Sequence, residues 1–67
     1  MEIEFNLDQI LAQRGLTIQQ AAELCELTRP TVYAIVRNEQ KRVDLQTISR
    51  LATGLKIEIQ ELFRIKK

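Results

Sequence analysis

The sequence predicts an all-α domain of five helices, with a small two-stranded antiparallel ribbon pairing the N- and C-terminal segments. Three observations carry this expectation. Apolar residues recur at helical spacing in successive windows between Leu7 and Leu55, and Asn, Thr or Asp precedes each window. Alternation of apolar and polar residues is confined to Glu2-Ile3-Glu4-Phe5 and Phe63-Arg64-Ile65-Lys66, at the two ends. The 67 residues, 45% hydrophobic and 28% charged, suit one domain, 1–67, around one core.

Paired antiparallel, the end segments place Ile3 and Phe5 on one face with Phe63 and Ile65, and set Glu2 and Glu4 across from Arg64 and Lys66. Opposite charges favour this pairing over either strand meeting its own copy. Two strands alone are marginal, so the ribbon is expected to lie on the helices.

Asn6 with Gln9 three residues on is a capping-box pattern for a first helix over about 7–14, with Leu7, Ile10 and Leu11 inward. Gly15 followed by Leu16 predicts a left-handed Schellman ending. Thr17 caps a second helix, about 17–25, whose Ala21, Ala22 and Cys25 share one side and allow a close helix crossing. Thr28 caps a third, about 28–37, with Pro30 in the first turn, where a missing N–H costs nothing. Val32 and Ile35 point inward, with Val36 at the edge. After a charged loop over 38–43, Asp44 caps a fourth helix with Leu45, Ile48, Leu51, Ala52 and Leu55 on its inner face. A short fifth helix is expected over roughly 58–63, presenting Ile59, Leu62 and Phe63.

Composition removes several function classes. There is one cysteine, Cys25, and no histidine, so no intrachain disulfide, Cys/His metal site or His-based catalytic group is available, and no cofactor is expected. Cys25 reads as a small buried apolar group rather than a redox centre. No apolar run approaches a membrane span, and the acidic start MEIEFN lacks the order of a signal peptide, so a cytoplasmic protein is expected. The net charge of +1 does not advertise nucleic acid, but its distribution is uneven. Residues 1–27 carry a net −4, whereas 28–42, with Arg29, Arg37, Lys41 and Arg42 against Glu39, carry +3.

Two short helices joined by a tight turn, with Val32 ten residues after Ala22, have helix-turn-helix spacing. The stretch GLTIQQAAELCELTRPTVYAIVRNEQKRVDLQTISRLATGL resembles the Cro and phage-repressor family of DNA-binding domains, and the resemblance covers residues 7–63. It implies a repressor-like helix-turn-helix fold in which Thr28–Arg37 is a recognition helix in the DNA major groove. On that resemblance Arg29, Pro30, Tyr33 and Ala34 face bases: Arg29 has the forked donors that fit guanine, while Pro30 and Ala34 offer apolar contact only. Thr28, Thr31, Arg37, Asn38, Lys41 and Arg42 face phosphates, as do Thr17 and Gln19 at the start of the second helix. The chain departs from the family at Ile18, where Gln is usual, and at Glu26 and Lys56, where glycine is common; a left-handed backbone at each would cost about 1 kcal/mol.

Plainer readings stand beside these. Arg29, Lys41 and Arg42 are otherwise solvated charges, Tyr33 a cover over the junction of the third and fourth helices, and Lys66-Lys67 a solvated end. Ile18 and Leu24 are apolar where the family tends to be polar, and suit either the core rim or a partner surface. The leading expectation is therefore a sequence-specific double-stranded DNA-binding regulator, a repressor by occlusion. It is expected to act as a homodimer on a palindrome, with no small-molecule ligand and no membrane partner. The alternative is a protein-interaction module, antitoxin-like or an adaptor, using Ile18 and Leu24. An enzyme ranks last, because the acidic residues do not converge, and RNA binding is disfavoured by the scarcity of aromatics.

Overall fold

The structure, a computed structural model, describes residues 2–39 and 42–66. Its elements run β1 (Glu2–Phe5), α1 (Leu7–Arg14), α2 (Ile18–Cys25), α3 (Arg29–Val36), α4 (Leu45–Leu55), a 3-10 turn (Ile59–Leu62) and β2 (Phe63–Lys66). The fifth helix expected over 58–63 is thus that single 3-10 turn. Ile59 is exposed, Leu62 alone is buried, and Phe63 already belongs to the strand, where its extended backbone (φ −121°, ψ 153°) ends the turn.

Threonine or aspartate caps three of the four α-helices. Thr17 Oγ1 accepts from Gln20 N–H while Gln20 Oε1 accepts from Thr17 N–H, a reciprocal capping box. Thr28 Oγ1 accepts from Thr31 N–H, and Asp44 Oδ1 accepts from Thr47 N–H at 2.8 Å. Hydrogen bonding from Thr47, its side chain first and then its backbone N–H, holds the Asp44 carboxyl pKa below its ordinary value. Asn6 departs from expectation: its side chain caps nothing, and Asn6 Oδ1 instead accepts from Arg64 Nη1 at 3.2 Å. The Asn6–Gln9 capping box is therefore absent, and Asp8 Oδ1 accepts from the Gln9 N–H in its place.

All four helices end alike. Gly15, Glu26, Asn38 and Lys56 each adopt left-handed φ, between 56° and 64°. Each donates its N–H back into the last turn, and the next residue donates to a carbonyl one step earlier: Leu16 to Leu11, Leu27 to Ala22, Glu39 to Ala34 and Ile57 to Ala52. These are Schellman endings, and only the first has the glycine that makes one cheap.

Leu7, Val32, Ile35, Leu51, Leu55 and Leu62 are buried at the centre, with Ala21, Ala22 and Cys25 against them. Each such aliphatic side chain contributes about 1.5–3 kcal/mol by leaving water. Val36 and Ile48 pack on the rim. Leu45 does not: it is 84% exposed, at the first position of α4, where the helix overhangs its neighbours. Helices α2 and α4 approach so closely that a Cβ on Gly54 would lie 2.6 Å from Leu24 O and 2.8 Å from Cys25 Cα. The Cys25 thiol is buried there, its pKa raised by desolvation.

The ribbon has the expected register: Glu2 opposite Lys66, Ile3 opposite Ile65, Glu4 opposite Arg64 and Phe5 opposite Phe63. The Phe5 and Phe63 rings pack with centroids 5.1 Å apart. Arg64 fastens the ribbon to α1, donating through Nε to Glu4 at 2.7 Å and through Nη1 to Asp8 at 2.9 Å. These carboxylates raise the guanidinium pKa, its bond to Glu4 first. Arg14 similarly donates to the Leu55 carbonyl at the end of α4.

Candidate nucleic-acid interface

Three buried positions and one tight turn decide what α3 shows to solvent. Ala22 on α2 and Val32 on α3 are both buried across the Glu26–Leu27 turn, and Ile35 is wholly covered one turn further on. With Val32 and Ile35 fixed inward, the 3.6-residue period turns Arg29, Tyr33 and Arg37 outward, one above the next at intervals of four. All three are exposed, Tyr33 to 47%.

The outward stripe is partly ordered by its own contacts. Arg37 Nη1 donates to Tyr33 Oη at 2.9 Å, its guanidinium carbon lies 5.4 Å from the ring centroid, and its Nε is 3.4 Å from Glu39. The bond to Tyr33, then the charges of Tyr33 and Glu39, raise the Arg37 pKa. Arg29 pairs with none of the described residues and stands free at the helix start beside exposed Pro30. The Thr28 and Thr31 hydroxyls bond one another at 2.8 Å, which orients both at the positive end of the helix dipole. Ala34 is half-buried behind the stripe.

Thr17 and Gln19 are exposed at the start of α2, where Gln19 Nε2 donates to Glu23 at 3.4 Å. Arg42 is exposed on the loop leading to α4, and Lys41 lies outside the described residues. Asn38 is not brought to this surface as a free donor. Its Oδ1 accepts from Phe5 N–H at 2.6 Å and its Nδ2 donates to Phe5 O at 3.1 Å, so the carboxamide acts as a one-residue third strand on β1. Sequence reasoning missed this clamp, although an Asn directly after a helix already signals a left-handed end. Ile18 and Leu24 separate: Ile18 packs half-buried on the core, while Leu24 is 52% exposed.

A helix fixed by Ala22, Val32 and Ile35 across a tight turn, with a cationic outer face, is a helix-turn-helix. The family model of the Cro/C1-type HTH DNA-binding domain matches residues 6–67, and the chain belongs to that family. No curated protein matches the chain. Among the described residues no helix is long and apolar enough to cross a membrane.

Proposed function

We propose that this protein is a sequence-specific transcriptional regulator of the cytoplasm, a repressor by occlusion, that lays α3 in the major groove of duplex DNA as a homodimer. Family membership supports DNA as the partner. The observation that carries the groove assignment is the outward stripe of α3, with Arg29 at its N-terminal end unpaired among the described residues and Arg37 steadied on Tyr33. Arg29 offers two parallel donors to a guanine edge, and Pro30 and Ala34 offer apolar surface to neighbouring bases. Arg37, Arg42, Lys41, Thr28, Thr31, Thr17 and Gln19 serve phosphates, which position the domain without choosing sequence. Tyr33, besides facing bases, aims Arg37. Asn38 supports the helix exit instead of touching DNA, because both ends of its carboxamide are engaged. An adaptor role through Ile18 and Leu24 has less support, since Ile18 is part of the core rim and one exposed leucine is ordinary.

Selection of duplexes from a random pool, followed by titration across salt, tests the assignment. Arg29→Ala is expected to lose about 1–3 kcal/mol on the selected site and little on random duplex. Arg42→Ala is expected to weaken both alike and to flatten the salt slope by about 1. Equal losses on both duplexes for the two variants would remove the division between base-reading and phosphate-holding residues.

A further inference from the structure

The cationic stretch around α3 holds a single acidic residue. From Thr28 to Val43 the charges are Arg29, Arg37, Lys41 and Arg42 against Glu39 alone. The backbone fixes where Glu39 stands. Its N–H donates to Ala34 O at 2.9 Å, and Asn38 before it is left-handed (φ 56°) and clamped to Phe5 through both ends of its carboxamide. The Glu39 carboxylate therefore stays within reach of the end of α3, where its Oε2 lies 3.4 Å from Arg37 Nε. Tyr33 holds the same guanidinium at another point, accepting from Nη1 at 2.9 Å with its ring centroid 5.4 Å from the guanidinium carbon.

The two partners engage different parts of one group. A guanidinium grips a phosphate best through two parallel N–H donors, and the edge that presents Nε with Nη2 is the one Glu39 faces. Tyr33 sits on Nη1, off that edge. A phosphate can thus take the Nε edge without disturbing Tyr33, but it must displace Glu39. Folding stability does not account for the pair, because the Arg37 and Glu39 side chains are 54% and 58% exposed and such ion pairs contribute little. That weakness makes the carboxylate exchangeable. Resting on the DNA-binding reading, in which Arg37 serves a phosphate, we propose that Glu39 is an intramolecular stand-in for that phosphate. It occupies Arg37 in the free protein and lowers the sequence-blind part of the affinity for duplex, while Tyr33 keeps the guanidinium aimed as its second partner is exchanged. Phosphate contacts carry no sequence information, so the restraint acts on every duplex alike.

Two measurements on the whole chain test this. In the free protein, isotopically labelled, the Arg37 Nε–Hε resonance is expected to shift and to exchange faster with water in Glu39→Gln; an unmoved resonance overturns the proposal. Binding of random and selected duplexes is then titrated at several salt concentrations for the wild-type protein, Glu39→Gln, Arg37→Ala and the double variant. Glu58→Gln, the same charge change on the 3-10 turn, is the control. Thermal melts followed by circular dichroism verify folding, and Glu39→Ala replaces Glu39→Gln should the latter fail to fold. Glu39→Gln is expected to tighten binding of both duplexes by about threefold or more at low salt, a gain that fades as salt rises. With Arg37→Ala in place, the gain is expected to fall toward that of Glu58→Gln. No gain, or a gain as large or larger without Arg37, marks absence of effect or plain repulsion and overturns the proposal. A wild-type protein and a Glu39→Gln variant both blind to duplex, with the Nε resonance still moved, remove the DNA reading and the restraint with it, and leave the Arg37–Glu39 pair standing.

Discussion

Glu26, Asn38 and Lys56 hold backbone angles that suit glycine, and the chain tolerates them for identifiable reasons. After Glu26 and Lys56 the next residues, Leu27 and Ile57, pack against the core, so burial offsets the strain. After Asn38 the next residue is the charged, exposed Glu39, and the compensation is the carboxamide clamp on Phe5. Arg50 Nη1 also donates to the Glu26 carbonyl at 3.2 Å, which bears on this conformation without involving the Glu26 side chain. Replacing Glu26 or Lys56 with glycine therefore removes strain and no side-chain bond. Each substitution is expected to stabilise by about 0.5–1 kcal/mol, net of the extra freedom glycine brings to the unfolded chain, read as a raised denaturation midpoint at unchanged slope. A lowered midpoint would mean that the side chains contribute more than the backbone angle costs. At this scale the sequence was partly legible. Gly15-Leu16 announces its turn, and Glu26 and Lys56 stand where the family resemblance places glycine. Asn38, by contrast, reads as a polar loop residue, because its partner lies 33 positions away.

At the scale of elements, period and capping residues located helices α1 to α4, and alternation with opposite charge located the ribbon and its register. The expectations that failed did so for different reasons. Leu45 keeps helical spacing with Ile48, yet periodicity names a side of a helix and not whether another element covers it; at the first position of α4 no described element does. The four residues between Glu58 and the strand leave room for only about one turn, with no ladder of i to i+4 bonds to hold it, and the segment is a 3-10 turn. The alanines of α2 signalled a close crossing, but Gly54, the residue that permits it on α4, carries no signal by itself. Gly54→Ala is expected to destabilise by about 1–3 kcal/mol, although alanine is the better helix former, because its Cβ meets Leu24 and Cys25 backbone atoms that cannot rotate away. Chemical denaturation decides the sign: a gain would show that α2 can retreat from α4 at no cost.

For the whole molecule, the weak net charge conceals a division of labour. The acidic opening segment engages Glu4 and Asp8 with Arg64, which ties the two chain ends together, while Arg29 and Arg42 remain unpaired among the described residues. One group of charges closes the ribbon and the other faces outward, so a net of +1 is compatible with a cationic reading surface. The candidate site was legible as a helix and as an outward face, because both follow from period. The Tyr33–Arg37 pairing was not anticipated, although it lies at helical spacing of four, since either side chain could equally have pointed into solvent. The central claim is that the outer side of α3 meets duplex. Titrating duplex DNA into isotopically labelled protein and following the backbone amide resonances tests it most directly. The largest shifts are expected over Thr28–Arg37, with smaller ones at Thr17, Gln19 and Arg42. Unmoved α3 amides, with the changes confined to the ribbon or to α4, would contradict the claim.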